Sequence, residues 1–101
     1  MRLSPTEREL LRQLGRQHFG EGSRLLLFGS RTDDTKKGGD IDLYVANGPS
    51  APAARVAAKI EFLVAVKLCL GEQRVDVVFS PVPGEPRLPI HQMAEETGVP
   101  L

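Results

Sequence analysis

The sequence predicts a small α/β domain of the α+β type, in which a mixed β-sheet of about three strands carries helices. Two observations point there. Three apolar runs of strand length, Arg24–Phe28, Asp40–Val45 and Arg74–Phe79, are separated by segments of very different character. The first two runs are joined by a short polar loop, which suits antiparallel neighbours. The second and third are joined by a long helical stretch, which suits a right-handed parallel crossover. A chain of 101 residues forms one compact domain, here residues 1–101.

The elements follow in order. Ser4-Pro5-Thr6-Glu7 opens a helix: Ser4 caps, Pro5 suits the first helical position, and Glu7 completes a capping box. Leu10, Leu11, Leu14 and His18 mark its inward face, and Gly20-Glu21-Gly22 ends it. The run Arg24–Phe28 is apolar enough to be buried on both sheet faces. Asn47-Gly48-Pro49-Ser50 closes the second strand. Ala51–Leu70 reads as a long helix, with Gly71 in the C-cap position. From Ile60 onward that helix is apolar almost all round, which exceeds the single stripe a surface helix needs. Phe62, Val66 and Leu70 are expected on one side, with Ile60, Leu63, Val64 and Leu68 on another. The second side meets a partner, a second copy, or simply a deep fold interior. Cys69 in the same helix is expected to be an inert core thiol. Prolines at 81, 83, 86 and 89 force an irregular connection, and a short helix from about Ile90 to Thr97 ends the chain's regular structure. His91 opens it, and a lone histidine there is expected to be neither a metal ligand nor a base.

Composition narrows the function. Lys plus Arg and Asp plus Glu both count 13, so the formal net charge is zero. No global basic field draws nucleic acid, which is not expected as a direct partner. One cysteine excludes an internal disulfide framework and fits a reducing, cytoplasmic setting. Met1-Arg2-Leu3-Ser4-Pro5 carries no signal pattern. The longest apolar stretch, Ile60–Leu70, contains Glu61 and Lys67 and is too short to span a bilayer.

Chemistry concentrates in one stretch. Leu25-Leu26-Leu27-Phe28 runs into Gly29-Ser30-Arg31, where backbone N–H groups and a hydroxyl can approach an anion closely because glycine lacks a Cβ. Nine residues later, Asp40-Ile41-Asp42 opens the second strand. A side-chain period of two puts both carboxylates on one face, with Ile41 and Leu43 on the other. Asp76, inside the third apolar run, is expensive there unless paired or bound to a cation. If the third strand lies beside the second, Asp76 joins the pair. Three carboxylates beside a phosphate cradle suit metal-assisted phosphoryl or nucleotidyl transfer, and oxygen-only ligands favour Mg²⁺. The loop Arg31–Gly39 is solvated surface or a short helix aimed at a phosphate. Lys36 and Lys37 are surface charge or triphosphate steering, and Arg31 is a phosphate contact or an acid's partner.

Gly29-Ser30, the spacer, Asp40-Ile41-Asp42 and a later strand with Asp76 resemble the signature of the DNA polymerase β-type nucleotidyltransferase superfamily. The short length and Gly-Ser-Arg start are similar to its minimal nucleotidyltransferase (MNT) group, whose members are commonly the antitoxins of HEPN/MNT toxin–antitoxin pairs. The likeness covers about Arg24–Phe79; Gly39 stands where a serine is common. It implies a nucleotidyltransferase fold and a Mg²⁺-dependent transfer of AMP from ATP to a hydroxyl. Asp40, Asp42 and Asp76 would be the catalytic and metal-binding residues, and Gly29, Ser30 and Arg31 the nucleotide-binding ones. The implied acceptor is a tyrosine of a HEPN-domain ribonuclease toxin, as in a type VII-like pair. Two other readings stay open: an antitoxin that acts by contact alone, and a nucleotidyltransferase acting on a small molecule or RNA.

Overall fold

A computed structural model describes residues 3–29, 41–72 and 74–101. Its element order is α1 (Pro5–Phe19), β1 (Arg24–Phe28), β2 (Ile41–Ala46), α2 (Pro52–Leu70), β3 (Val75–Phe79), α3 (Pro89–Thr97) and β4 (Val99–Pro100). The strands form one mixed sheet in the order β3-β2-β1-β4. β1 pairs antiparallel with β2, and β2 pairs parallel with β3. The domain is thus a small α+β unit in which the described residues form three helices on a four-stranded sheet, and no helix among them is long and apolar enough to cross a membrane.

The capping box at the start of α1 forms as the sequence predicts. Ser4 Oγ accepts from Glu7 N–H at 3.1 Å, and Glu7 Oε1 accepts from Ser4 N–H at 3.0 Å. Two donors that the helix itself leaves unsatisfied are thereby satisfied. Gly15 interrupts the α1 pattern for a packing reason. A Cβ there would stand 3.2 Å from Leu25 Cδ2, so glycine lets the helix lie close on β1.

α1 and α2 pack on one face of the sheet. Leu11, Phe19, Leu27, Ile41, Leu43, Val45, Phe62 and Val66 form that core. α3 packs on the other, where Phe28, Tyr44 and Ala94 meet. Parity divides them: Leu25 and Leu27 face α1 and α2, while Leu26 and Phe28 face α3. Arg55 ties α2 to the segments around it. Its Nε donates to Pro49 O at 2.8 Å and Nη2 to Ser80 O at 2.7 Å, while the guanidinium lies 5.3 Å from the Phe79 ring centroid.

Four expectations need correction. The sheet has a fourth strand: Val99 and Pro100 pair with Leu27 and Leu26, and Pro100 is tolerated because β4 is an edge. Asp76 is exposed, because β3 is the opposite edge, so burial does not force it to find a partner. Cys69 is exposed and not a core thiol. Leu63 packs against the core with Phe62, not on the outer side with Ile60, Val64 and Leu68. That outer side is open: Val56, Ile60, Val64 and Leu68 are 59, 58, 54 and 82% exposed. Their spacing of four makes them one ridge along α2.

Candidate active site at the paired acids

The site begins at the end of β1. Phe28 pairs with Asp42 across the antiparallel ladder, and Asp42 pairs with Asp76 across the parallel one. The two carboxylate-bearing residues are therefore level on adjacent strands. Neighbouring strands lie about 4.8 Å apart, and equal parity sends both side chains to the α3 face. Two negative charges at this spacing attract a cation or a proton donor. Asp76 is exposed and Asp42 half-buried, while α3 packs over Phe28, Tyr44 and Val78 on the same face.

Gly29 follows Phe28 with φ +80°. A Cβ at this position would overlap Asp42 Oδ2 and stand 3.3 Å from Asp42 Cγ. Both facts require glycine: the left-handed backbone disfavours an L side chain, and the space is occupied by a carboxylate. The turn that the sequence marks as a phosphate cradle thus presses directly on one of the acids. Asp42, Asp76 and Gly29 are brought together. Ser30, Arg31, Lys36, Lys37 and Asp40 lie outside the described residues.

Asp42 and Asp76 offer oxygen ligands only, which fits a hard cation such as Mg²⁺ better than a softer metal. Among the described residues no cluster of three or more His, Cys, Asp or Glu forms, and Asp40 is not one of those residues. His91 takes no part. It is buried, and its Nδ1 accepts the N–H of Leu88 at 3.0 Å, the bond by which a capping-box side chain reaches back to the N-cap backbone.

One polar group on this face is absent from the sequence candidates. Tyr44, two residues beyond Asp42, is buried, and its hydroxyl donates to Glu95 of α3. Glu95 also pairs with Arg87. Burial raises the Tyr44 pKa, and the positive charge of Arg87 opposes that in part. The alternation Asp42-x-Tyr44 carries this signal in the sequence. A cavity of about 310 Å³ lies farther along the same face, lined by Arg24, Leu26, Tyr44, Ala46 and Glu95. The lining runs from Tyr44, two residues beyond Asp42, to Ala46, which pairs with Arg24, so the cavity begins roughly 7 Å from the acid row and reaches to roughly 13 Å.

Neither the protein-family models nor the curated proteins include a match to this chain.

Proposed function

We propose that this chain transfers AMP from ATP to a hydroxyl acceptor, and that the acceptor is a tyrosine of a HEPN-domain toxin. The observation that carries the reading is the level pair Asp42–Asp76 with the Gly29 backbone against Asp42. Supporting it is the resemblance of Gly29-Ser30, Asp40-Ile41-Asp42 and Asp76 to the minimal nucleotidyltransferases. Gly29 and Ser30 hold the β- and γ-phosphates through N–H groups and the hydroxyl, and Arg31 adds a guanidinium to the same phosphates. Asp40, Asp42 and Asp76 would hold Mg²⁺, which when bound neutralises triphosphate charge and acidifies the incoming hydroxyl. Asp76 is exposed at the sheet edge, where it takes the proton of that hydroxyl. The acceptor oxygen forms a bond to the α-phosphorus. The bond from the α-phosphorus to the bridging oxygen breaks, and pyrophosphate leaves with the electron pair.

A second reading is inhibition of the partner by contact, without chemistry. The exposed ridge of Val56, Ile60, Val64 and Leu68 favours it. The test is mass spectrometry of a candidate HEPN partner after incubation with this chain, ATP and Mg²⁺, beside the Asp42→Asn variant. A gain of AMP units that the variant abolishes supports transfer. A stable complex without mass gain moves the reading to contact. Neither a complex nor a mass gain refutes both.

A further inference from the structure

The outward face of α2 carries Val56, Ile60, Val64 and Leu68, all more than half exposed. We propose that this ridge is the contact between two copies of the chain, paired antiparallel about a two-fold axis that passes between Ile60 and Val64.

Phase is the first argument. Phe62 is fully buried and fixes the inward direction of α2. At about 100° per residue, Ile60 and Val64 point within about 20° of the opposite direction, and Val56 and Leu68 within about 60° of it. The ridge is therefore centred on residue 62 and reads as an apolar row of the same length in either direction. A two-fold pair needs such a surface, because each patch must fit a copy of itself. Val56 comes to lie beside Leu68 of the second copy, and Ile60 beside Val64 of the second copy.

Residue choice is the second argument. Three of the four ridge residues are β-branched. Val and Ile are weaker helix formers than Ala, Lys or Glu, and at exposed positions no burial within the fold offsets that. Their χ1 angles are already fixed in a helix, so little rotamer freedom is lost when a second surface covers them.

Charge and area identify that surface as a second copy. The chain is neutral, so copies do not repel one another. The charged groups bordering the ridge are engaged within the chain: Glu61 faces His18 at 4.0 Å, and Lys67 pairs with Glu72 at 3.3 Å. Neither selects a charged partner. Antiparallel packing puts the two copies of Lys67 about 15 Å apart along the helix and opposes the helix dipoles favourably, whereas parallel packing would hold both lysines at one level. The four side chains expose on the order of 400 Å² on one copy. Two facing ridges, with exposed Ala53 and Ala57 beside them, bury on the order of 1,000 Å², the lower bound for a specific pair. The dimer is therefore weak and reversible. The acids lie on the other face of the sheet, so the proposal stands apart from the transferase reading. A protein that acts by contact at α2 has to displace the second copy.

Sedimentation equilibrium of the full chain tests the proposal. The mass should rise from 11.0 kDa towards twice that value, with a midpoint between about 10 μM and 1 mM. Ile60→Glu/Val64→Glu should raise the dissociation constant at least about a hundredfold, because carboxylates then meet in an apolar contact. The control is Ile90→Glu/Met93→Glu, on the exposed apolar side of α3, which should leave the constant unchanged. Far-ultraviolet circular dichroism checks that both variants keep the fold. Orientation is read by disulfide trapping in a Cys69→Ser background, since Cys69 is exposed. An equimolar mixture of Val56→Cys and Leu68→Cys chains should give mainly the mixed cross-link, resolved by mass. The proposal is overturned by a monomer at about 1 mM, by a dimer that survives the ridge variant or is lost in the α3 variant, by an assembly larger than two copies, or by a majority of same-position cross-links. Asp42→Asn should dimerise as the parent does, so failure of this proposal and failure of the transferase reading are distinguishable.

Discussion

Substituting Gly29 by alanine tests the geometry of the acid row through stability, without needing a substrate. Two costs should appear together. The backbone at φ +80° disfavours an L side chain by about 1–2 kcal/mol. The new Cβ also overlaps Asp42 Oδ2 and approaches Asp42 Cγ to 3.3 Å, and forcing extra volume into occupied space costs about 1–3 kcal/mol. The sum is about 2–5 kcal/mol. For a domain of this size that lowers Tm by roughly 8 °C or more. A double-mutant cycle separates the two costs. In an Asp42→Ala background the carboxylate is gone while the strained backbone remains, so Gly29→Ala should then cost only about 1–2 kcal/mol. Urea denaturation of the four proteins gives the coupling energy, expected to exceed about 1 kcal/mol. Equal costs in both backgrounds would refute the claim that residue 29 presses on the Asp42 carboxylate. A Gly29→Ala protein as stable as the parent would refute the strained turn as well.

Tyr44 is the only tyrosine and the chain has no tryptophan, so ultraviolet titration reads one phenol. Burial raises its pKa, and ionisation should therefore begin above the ordinary value of about 10. The raised folded-state pKa contributes stability that is fully present below the unfolded value and lost as pH rises through the folded one; a midpoint at or below the ordinary value would contradict the buried Tyr44–Glu95 contact. Phe62 is fully buried and lies 4.8 Å, centroid to centroid, from Phe19, so Phe62→Ala should cost about 3–5 kcal/mol by urea denaturation. Removing the His91 acceptor, as in His91→Ala, should cost about 1 kcal/mol by the same measurement, the value typical of a lost helix cap; no change would mean that Leu88 N–H finds another partner.

Much of the arrangement was legible because it follows from parity and connection length. The run Arg24–Phe28 forms a strand with the predicted ends, and the short and long connections give antiparallel and parallel pairing in turn. Those pairings make Asp42 and Asp76 level, as the sequence argument requires. What parity cannot supply is lateral order. Asp76 looked buried because its neighbours are apolar, yet β3 is an edge, and nothing in Val75–Phe79 marks it as one. α2 failed differently. A helix apolar on every side has no phase, so Leu63 and Cys69 could not be turned correctly by pattern alone. β4 has only two residues, one of them proline, too few for any periodic signal.

The position of α2 makes the two functional readings separable. The acids share the α3 face, whereas α2 packs on the other, and its exposed ridge looks outward from there. With a helix diameter of about 10–12 Å and a layer spacing of about 10 Å, ridge and acid row are on the order of 15–20 Å apart. A partner seated on the ridge does not bring a hydroxyl to Asp42 of the same copy unless it wraps the sheet edge. Ile60→Glu and Val64→Glu change only exposed positions of a helix, so each should alter stability by no more than about 0.5 kcal/mol. Inhibition by contact through α2 should be lost in the double variant, as read by size-exclusion chromatography with the partner. Transfer at the acids should persist in that variant at high partner concentration and vanish in Asp42→Asn. If the ridge variant and Asp42→Asn both leave inhibition intact, neither face carries it. If the ridge variant alone abolishes transfer at every concentration, the partner does wrap the edge, and the two faces act as one surface.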